Sequence, residues 1–579
     1  MKVVDSLPAN LAVLKGAEIF THGHLPIAAA FCRRLGLVDI VNRLVPSQME
    51  LKPGLVVQAM VLDTLSGRTP LYHIKDFMAN QDIELLLGTS VRPETFNDTN
   101  LGRSLDAIFE AGPSKIVSTL GVRASREFVL DAKAVSYDTT STSVWGDYRQ
   151  CEGDNPPPGP VITHGHSKDQ LPHLKQFMTE LLCVDRGVPI FSNTLNGNSS
   201  DKTSNNKMLS QISTIMAQHG LGTGAFVYVA DSAAVTENNL DCMEDNLFLS
   251  RLPATYTECH RAIGEAVMAN RWVDLGTLAE TPTKSNRPCA SYKAFETSVT
   301  LYKKKYRALV VYSSSHDKRR QKRLDKSIAQ SAQSINDQLA KMSMQFFCEA
   351  DAKAAAQRVE ALSENLHVVK ATISTHEVRK PGRPPTDKPA PTNTRYVVSG
   401  KLALNTDAVE QEKLLAGCFV LLTNVPIVGE NGMEDKKLLL TYKGQYGVES
   451  DFAFLKDPIV VNDIFLKKPH RIDALGMILV IALMVYRLME RTMRLRLKKT
   501  KKELVGWENR KTDKPTAFMM TTAIVGILVA IIHNTRILLR PPNDRQTDFL
   551  FALGLGSDVF INPNCKCQPI IIQNPAQIG

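Results

Sequence analysis

The sequence lacks three features, and each absence excludes a class. It has no apolar run long enough to span a bilayer. The two strongest, Ala474–Tyr486 (ALGMILVIALMVY) and Ala517–Ile532 (AFMMTTAIVGILVAII), fall short of the roughly 20 residues a spanning helix needs. Both are expected as buried helices, and no membrane partner is expected. The opening stretch, MKVVDSLPANLAVLKG, has neither an uninterrupted apolar core nor a cleavage site, so no secretory leader is expected. The 10 cysteines follow no disulfide framework, which fits a reducing compartment, the cytoplasm. Cys565 and Cys567 are close, but no second pair answers them, which argues against zinc.

What the chain does have is length and positive charge. Its 579 residues exceed a single core, so several domains are expected. Hydrophobic content of 43% and charged content of 22% are ordinary for a globular protein. The net charge of +10 favours a polyanionic partner, nucleic acid before membrane. A basic protein without such a partner is the plainer alternative.

One stretch carries a chemical pattern. In Lys437–Pro458 (KLLLTYKGQYGVESDFAFLKDP), Tyr442, Gln445, Glu449, Phe452 and Lys456 follow at spacings of 3, 4, 3 and 4. A helix starting near Tyr442 would place all five on one narrow stripe. A carboxylate and a lysine two turns apart suit a metal-bound phosphate. The alternative is a surface-to-core helix with chance polar residues.

Two aspartates fit beside it. The segment FVLDAKAVSYDTTS reads as a buried strand from Phe128 that ends at Asp138, followed by a polar turn. An Asp that merely caps that turn is the alternative, and Asp131 lies too early in the strand. Phe226–Asp231 (FVYVAD) is a further buried strand with Asp231 at its end and a helix start behind it. Between them come a loop over Cys151–Pro160, then a hairpin of Phe177–Asp185 and Val188–Thr194 about Asp185-Arg186-Gly187. A helix over Lys207–His219 follows the turn Gly197–Asp201, and Phe248–Pro253 reads as a fifth strand. His164 and His166 read as ordinary polar loop residues.

The flanks are less specific. Residues 1 to about 125 read as mostly helical, with Leu25–Leu37 and Gly54–Leu65 at helical spacing and turn signals at Gly67–Pro70 and Arg92-Pro93. Tyr306–Ser313 and Phe419–Thr423 read as strands. The basic run His316–Lys326 (HDKRRQKRLDK) opens a helical stretch to about Leu362. Such a run is either a solvated face or a DNA-backbone contact. Arg379–Pro385 (RKPGRPP) is similar to a minor-groove AT-hook core, with a basic linker as the equal alternative, supported by Pro389–Thr394. A long apolar helix is expected from Pro469 to Arg494, with a basic end at Arg487, Arg491, Arg494 and Arg496. The Lys498–Lys502 cluster is open to DNA, and a last helix is expected near Thr516–Leu539. The tail beyond Asn543 carries no signal.

Tyr442, Glu449 and Lys456 resemble, in identity and spacing, the Tyr-(2)-Arg-(3)-Glu-(6)-Lys signature of DDE-type bacterial insertion-sequence transposases of the insertion-sequence-four superfamily. Gln445 stands where that family has Arg, which removes a bidentate phosphate fork. Ala453, often Arg in this branch, and Leu171-Pro172-His173 also depart. Asp138-Thr139-Thr140-Ser141 resembles the first catalytic block, Gly165–Asp169 the lead-in to the second strand, and Asp231 with its following residues the second block. Leu71-Tyr72 and Phe96-Asn97-Asp98 resemble amino-terminal segments of one branch.

The resemblance implies an α/β fold with an RNase H-like catalytic core, a mixed five-stranded sheet with helices, interrupted by a largely β insertion and preceded by a helical DNA-binding domain of helix-turn-helix type. Domains would run 1–125, 126–254, 255–418 (the insertion), 419–542 and 543–579 (the tail). Asp138, Asp231 and Glu449 would hold two Mg²⁺ ions, with Mn²⁺ as a substitute. Tyr442 and Lys456 would grip DNA near the scissile phosphate, with a structural role as the alternative. The partners would be double-stranded DNA, as element ends and target, and further copies of the chain in a dimer or synaptic multimer. The location would be the bacterial cytoplasm, on the nucleoid. The competing classes are a DNA-binding protein of the same fold that has lost catalysis, and a metal-dependent nuclease without strand transfer.

Overall fold

A computed structural model describes residues 17–67, 69–70, 73–151, 157–243, 245–278, 289–379, 392–457 and 466–570. They divide into two compact units, those within Met1–Ser250 and Leu439–Gly579, and those within Arg251–Leu438. The Leu71-Tyr72 segment and all but the edges of the Arg379–Pro385 and Pro389–Thr394 stretches lie outside the described residues.

The first unit opens with strand β1 (Glu18–His22) and seven helices: α1 (Leu25–Leu35), α2 (Leu37–Leu44), α3 (Pro53–Leu65), α4 (Ile74–Ala79), α5 (Ile83–Leu87), α6 (Asp98–Ala111) and α7 (Pro113–Phe128). Local chemistry sets these bounds. Pro sits in the first turn of α1, α3 and α7, where its missing N–H costs nothing. Gly36, at φ +70°, ends α1 in the left-handed region that favours glycine. The Asn97 side chain accepts the Asn100 N–H and starts α6.

A mixed sheet follows. Strand β2 (Ala134–Val144) pairs antiparallel with β3 (Lys175–Val184), which pairs antiparallel with β4 (Val188–Leu195). Helix α8 (Asp201–Gln218) crosses to β5 (Val227–Ala230), parallel to β2. Helix α9 (Glu237–Cys242) leads to β6 (Leu247–Arg251), parallel to β5. The order in this unit is β4-β3-β2-β5-β6. Two expectations are corrected here. Phe128 closes α7 rather than opening a strand, because Val129, at φ +51°, ends the helix first. Strand β2 then runs through Val144, so Asp138 stands mid-strand and not at its end. The run of Thr and Ser after Asp138, read as a turn, is strand because β3 pairs with it throughout.

In the second unit, α10 (Thr257–Ala269) precedes β7 (Val273–Thr277), β8 (Ser291–Leu301) and β9 (Lys304–Ser313). Helix α11 (Ser314–Lys341), β10 (Gln345–Phe346), α12 (Glu349–Glu360), the ribbon β11 (His367–Arg379) and β12 (Thr392–Leu404), α13 (Thr406–Leu415) and β13 (Cys418–Thr423) complete it. Strands β13, β9, β8 and β7 pair antiparallel in that order. A separate small core of Ile335, Ala352, Ala355, Val359, Val369 and Val398 lies under the ribbon. The region is therefore mixed rather than largely β. The basic helical stretch is also broken, by β10.

The chain returns through α14 (Asp435–Lys443) and α15 (Tyr446–Lys456) to α16 (Pro469–Thr500), then the short pair β14 (Leu504–Val505) and β15 (Lys511–Thr512). Helix α17 (Ala517–Ala523), strands β16 (Ile527–Ile532) and β17 (Thr535–Leu538), and α18 (Asp544–Leu553) close it. The helix expected near Thr516–Leu539 is instead one short helix and a hairpin. Gly526, at φ +71°, breaks the run, and β16 pairs with β1 as well as β17. The tail is structured too. Asn543 and Gln546 form a capping box on α18, and Phe549, Leu550 and Phe560 are buried.

Helix α16 is long and apolar enough to cross a membrane by length and composition, and 78% of its apolar window is buried, as in a core helix. Its polar side chains reach distant parts of the unit. Arg471 forks onto Asp106 of α6 at 2.6 and 2.7 Å. Arg491 donates to Asp185 in the β3–β4 turn at 2.5 Å and to the carbonyls of Phe128 and Val129, each at 2.8 Å. One planar guanidinium thus holds the start of the sheet and its hairpin. Arg491→Lys keeps the charge but loses the fork. The variant is expected to lower the unfolding free energy by about 2–4 kcal/mol, read by urea titration. A change within about 0.5 kcal/mol, the usual range for neutral surface substitutions, would show that the fork is dispensable.

Candidate active site

The register of β2 and β5 builds the site. Ala134, Val135 and Ser136 pair with Val227, Tyr228 and Val229. Asp138 lies two residues beyond the last of these pairs on β2, and Asp231 two residues beyond it on the other segment, one residue past the end of β5. Strand β5 stops at Ala230, and Asp231 turns its carboxylate to the Ala233 N–H at 3.0 Å. The Asp231 carbonyl accepts the Ser250 hydroxyl of β6 at 2.7 Å. Asp138 accepts its neighbour's N–H, that of Thr139, at 2.7 Å.

A third acid and a lysine complete the cluster. Asp201, the first residue of α8, accepts the Thr139 hydroxyl at 2.5 Å. Lys168 Nζ donates to the Thr139 carbonyl at 2.6 Å and to its Oγ1 at 3.1 Å, and lies 3.3 Å from Asp201 Oδ1. Burial pushes the Asp138 carboxyl up to about 6, with Asp231 and Asp201 adding to the rise and Lys168 and the Thr139 N–H opposing it. Burial raises Asp231 as well, opposed by the Ala233 N–H. Two carboxylates held side by side in a half-buried place are poised for a positive charge.

The opposite face is a buried polar network. Tyr137 O–H donates to Glu180 at 2.8 Å, Asn193 donates to the same carboxylate at 3.0 Å, and Tyr228 O–H donates to Asn205 at 3.0 Å. The Tyr137 and Tyr228 rings stack at 6.2 Å. These bonds tie β2, β3, β4, β5 and α8 together behind the acids, so the carboxylates stand on rigid elements.

The signature residues divide. Tyr442 and Glu449 do not share a helix: Gly444 and Gln445 form a turn between α14 and α15, closed by the Gln445 N–H to the Tyr442 carbonyl at 3.1 Å. The single stripe from Tyr442 to Lys456 is thus corrected, and glycine is the residue that breaks it. Tyr442 is half-buried on α14, and Gln445 is buried in the turn. Glu449 is exposed on α15 and makes no hydrogen bond or ion pair with a described residue. Lys456 pairs with Asp169 at 2.6 Å, one residue from Lys168. Helix α15 is held by its other side. Asp451 is fully buried, pairs with Arg487 of α16 at 2.6 Å, and accepts the Cys183 thiol at 3.4 Å. A Cβ on Gly447 would collide with the Arg186 carbonyl, so the helix start needs glycine to pack on the β3–β4 turn.

The structure therefore joins Asp138 and Asp231 and adds Asp201 and Lys168. Among the described residues, no three His, Cys, Asp or Glu side chains are grouped closely enough to hold a metal ion, Glu449 included. His164 and His166 are exposed and form no such group. Sequence reasoning missed Asp201 and Lys168 as site residues. Both lie in stretches with a signal, Gly165–Asp169 and the turn before α8. Asp201, though, reads as a helix start, and a loop lysine is common everywhere.

Residues 17–122, from before β1 into α7, match a family model described as a domain of unknown function, DUF4277. No curated protein matches the chain.

The raised Asp138 carboxyl fixes a pH dependence. The folded protein holds this proton more tightly than the unfolded chain does. Stability is therefore full below about pH 4 and falls as pH rises through about 6. Each pH unit that separates the folded and unfolded midpoints is worth about 1.4 kcal/mol. Asp138→Asn is thus expected to be more stable than wild type by about 1–3 kcal/mol at pH 8, and equal to it near pH 4. Denaturant unfolding in a chelating buffer at the two pH values checks this; an equal difference at both would remove Asp138 as the cause.

Proposed function

We propose that the chain is a DDE-type transposase of the insertion-sequence-four superfamily. It would cut double-stranded DNA at element ends and join the freed 3′ ends to a target. The observation that carries this reading is the placement of Asp138 on β2 and of Asp231 just past the end of the neighbouring parallel strand β5, near enough that Asp231 adds to the rise of the Asp138 carboxyl. Three others support it. The strand order β4-β3-β2-β5-β6 with α8 as crossover suits an RNase H-like core. Lys168 sits beside the acids. The helix carrying Glu449 ties its Lys456 to Asp169, the neighbour of Lys168. Glu449 lies two turns before Lys456, on the same side of α15.

The donor set fits a hard divalent cation. Asp138 and Asp231 offer carboxylate oxygens whose mutual repulsion and burial a cation would relieve, and Mg²⁺ or Mn²⁺ prefers such ligands. Such a cation, when bound, supplies positive charge to the phosphoryl group and the leaving oxygen. The chain's own residues do the rest. Asp138 and Asp231 would hold such a cation, and Glu449 would be the third carboxylate of the signature. Lys168 fixes Thr139 and Asp201 and keeps the acids from spreading. Tyr442 and Lys456 hold the backbone near the cut. Water attacks a phosphodiester, the bond to the 3′ oxygen breaks, and the 3′-hydroxyl then displaces a 3′ oxygen in the target strand. The reading implies a dimer or larger assembly on two ends, in the cytoplasm.

One observation favours a second reading, a DNA-binding copy that has lost cleavage. Gln445 is buried in the turn where the signature has Arg, and Glu449 stands outside the acid cluster.

The test is Mg²⁺-dependent nicking of the DNA that flanks the gene. Asp138→Asn and Asp231→Asn are each expected to lose more than the roughly 10–100-fold that loss of an outer-shell partner costs. Wild-type cleavage that survives both substitutions would refute the site. Binding without cleavage by the wild type would select the second reading.

A further inference from the structure

Helix α11 leaves a strong charge without a partner. Of its 28 residues, Ile335 alone is fully buried. Lys318, Arg319, Lys322, Arg323 and Lys326 are all exposed, and none pairs or hydrogen-bonds through its side chain with a described residue. At 3.6 residues per turn the five fall within an arc of about 140° and a length of about 12 Å. The acids do not answer them. Asp317 accepts from Tyr312 O–H at 3.0 Å and from Gln321 at 2.9 Å. Asp325, at the edge of the arc, forms no ion pair. Three like-charged pairs at i, i+4 (Lys318 with Lys322, Arg319 with Arg323, Lys322 with Lys326) oppose helix formation. Folding alone gives no reason for this arrangement, whereas a bound polyanion does.

We infer that this face of α11 is a docking surface for the sugar–phosphate backbone of duplex DNA. The inference rests on the reading of the chain as a protein that acts on DNA, and adds a contact outside the acid site. Charge density favours the duplex. DNA carries about one charge per 1.7 Å of axis, so about 12 Å presents about seven phosphates to five cations. A membrane surface fits less well. Membrane-binding helices set large apolar side chains beside the cations, and no large hydrophobic residue of α11 is exposed. The arc has no base-reading geometry of its own, so the contact adds affinity without sequence preference.

The experiment uses the full chain and a 40-base-pair duplex of arbitrary sequence, with affinity measured across a salt series. A variant with all five cations changed to Gln is expected to lower the slope of log affinity against log salt by about 4–5. Its thermal midpoint should be at or slightly above that of wild type. A second variant, with the five residues exchanged between Lys and Arg, should keep the wild-type slope. Asp138→Asn should bind with the wild-type slope while failing to cut, which separates this surface from the catalytic reading. An unchanged slope in the Gln variant overturns the inference even if wild type cleaves. Absence of duplex binding by wild type overturns both. Tighter binding to phosphatidylserine vesicles than to duplex, lost in the Gln variant, overturns it in favour of a membrane partner.

Discussion

The first unit depends on one buried helix. Helix α16 supplies a continuous apolar surface from Ile472 to Met489, nearly all of it at or near zero exposure. A helix satisfies its own backbone hydrogen bonds, so it can be buried along this length without orphaned polar groups. Its charged residues would be costly there if unpaired. Three of them have partners from different stretches of chain, Arg471 with Asp106, Arg487 with Asp451 and Arg491 with Asp185, while Glu490 is paired within the helix. Amino-terminal helices and the sheet are thus keyed to an element encoded hundreds of residues later, and the nearby α15 is keyed to the same element.

That dependence explains how acids come to be held so close. Repulsion between Asp138 and Asp231, and the loss of hydration on burial, work against the pair. Flexible loops would relax it by moving apart. Here Asp138 sits on β2 and Asp231 directly follows β5, the far face of these strands is locked by Tyr137, Glu180, Asn193, Tyr228 and Asn205, and the segment leading into β2 is held by Arg491 through Phe128 and Val129. Lys168 offsets part of the charge without reaching the carboxylates themselves, since its ammonium is engaged by Thr139 and Asp201. What remains is a pair of acids with raised carboxyls and one lysine nearby.

Much of this was legible in the sequence, for physical reasons that differ by element. The buried strands β3 and β5 and the β3–β4 turn are short apolar runs with a Gly-ended turn, signals that survive any context. Asp138 and Asp231 stand out because each reads as closing a buried apolar strand, Phe128–Asp138 and Phe226–Asp231. The misplacements have a common cause. The hydroxyl-rich run of Thr139–Val144 reads as a turn, whereas its β-branched residues and its pairing with β3 continue the strand. The hairpin of β16 and β17 looked like a helix because one glycine outweighs a long apolar run. The stripe from Tyr442 to Lys456 fits helical spacing, yet Gly444 and Gln445 turn the chain inside it. Tail residues showed no pattern because their burial is set by partners such as Arg33, which reaches the Cys565 carbonyl at 2.8 Å.

Two features of the chain share a logic of unbalanced charge. The acid pair and the arc on α11 each hold like charges together against their own repulsion, on elements rigid enough to prevent escape. In most proteins such groups are dispersed or neutralised, because folding is favoured when they are. The acids keep raised carboxyls, and the positive arc stands exposed along one side of α11. An enzyme of the kind proposed above would use both. Function in this chain is thus read most directly where the structure is locally worse than it needs to be.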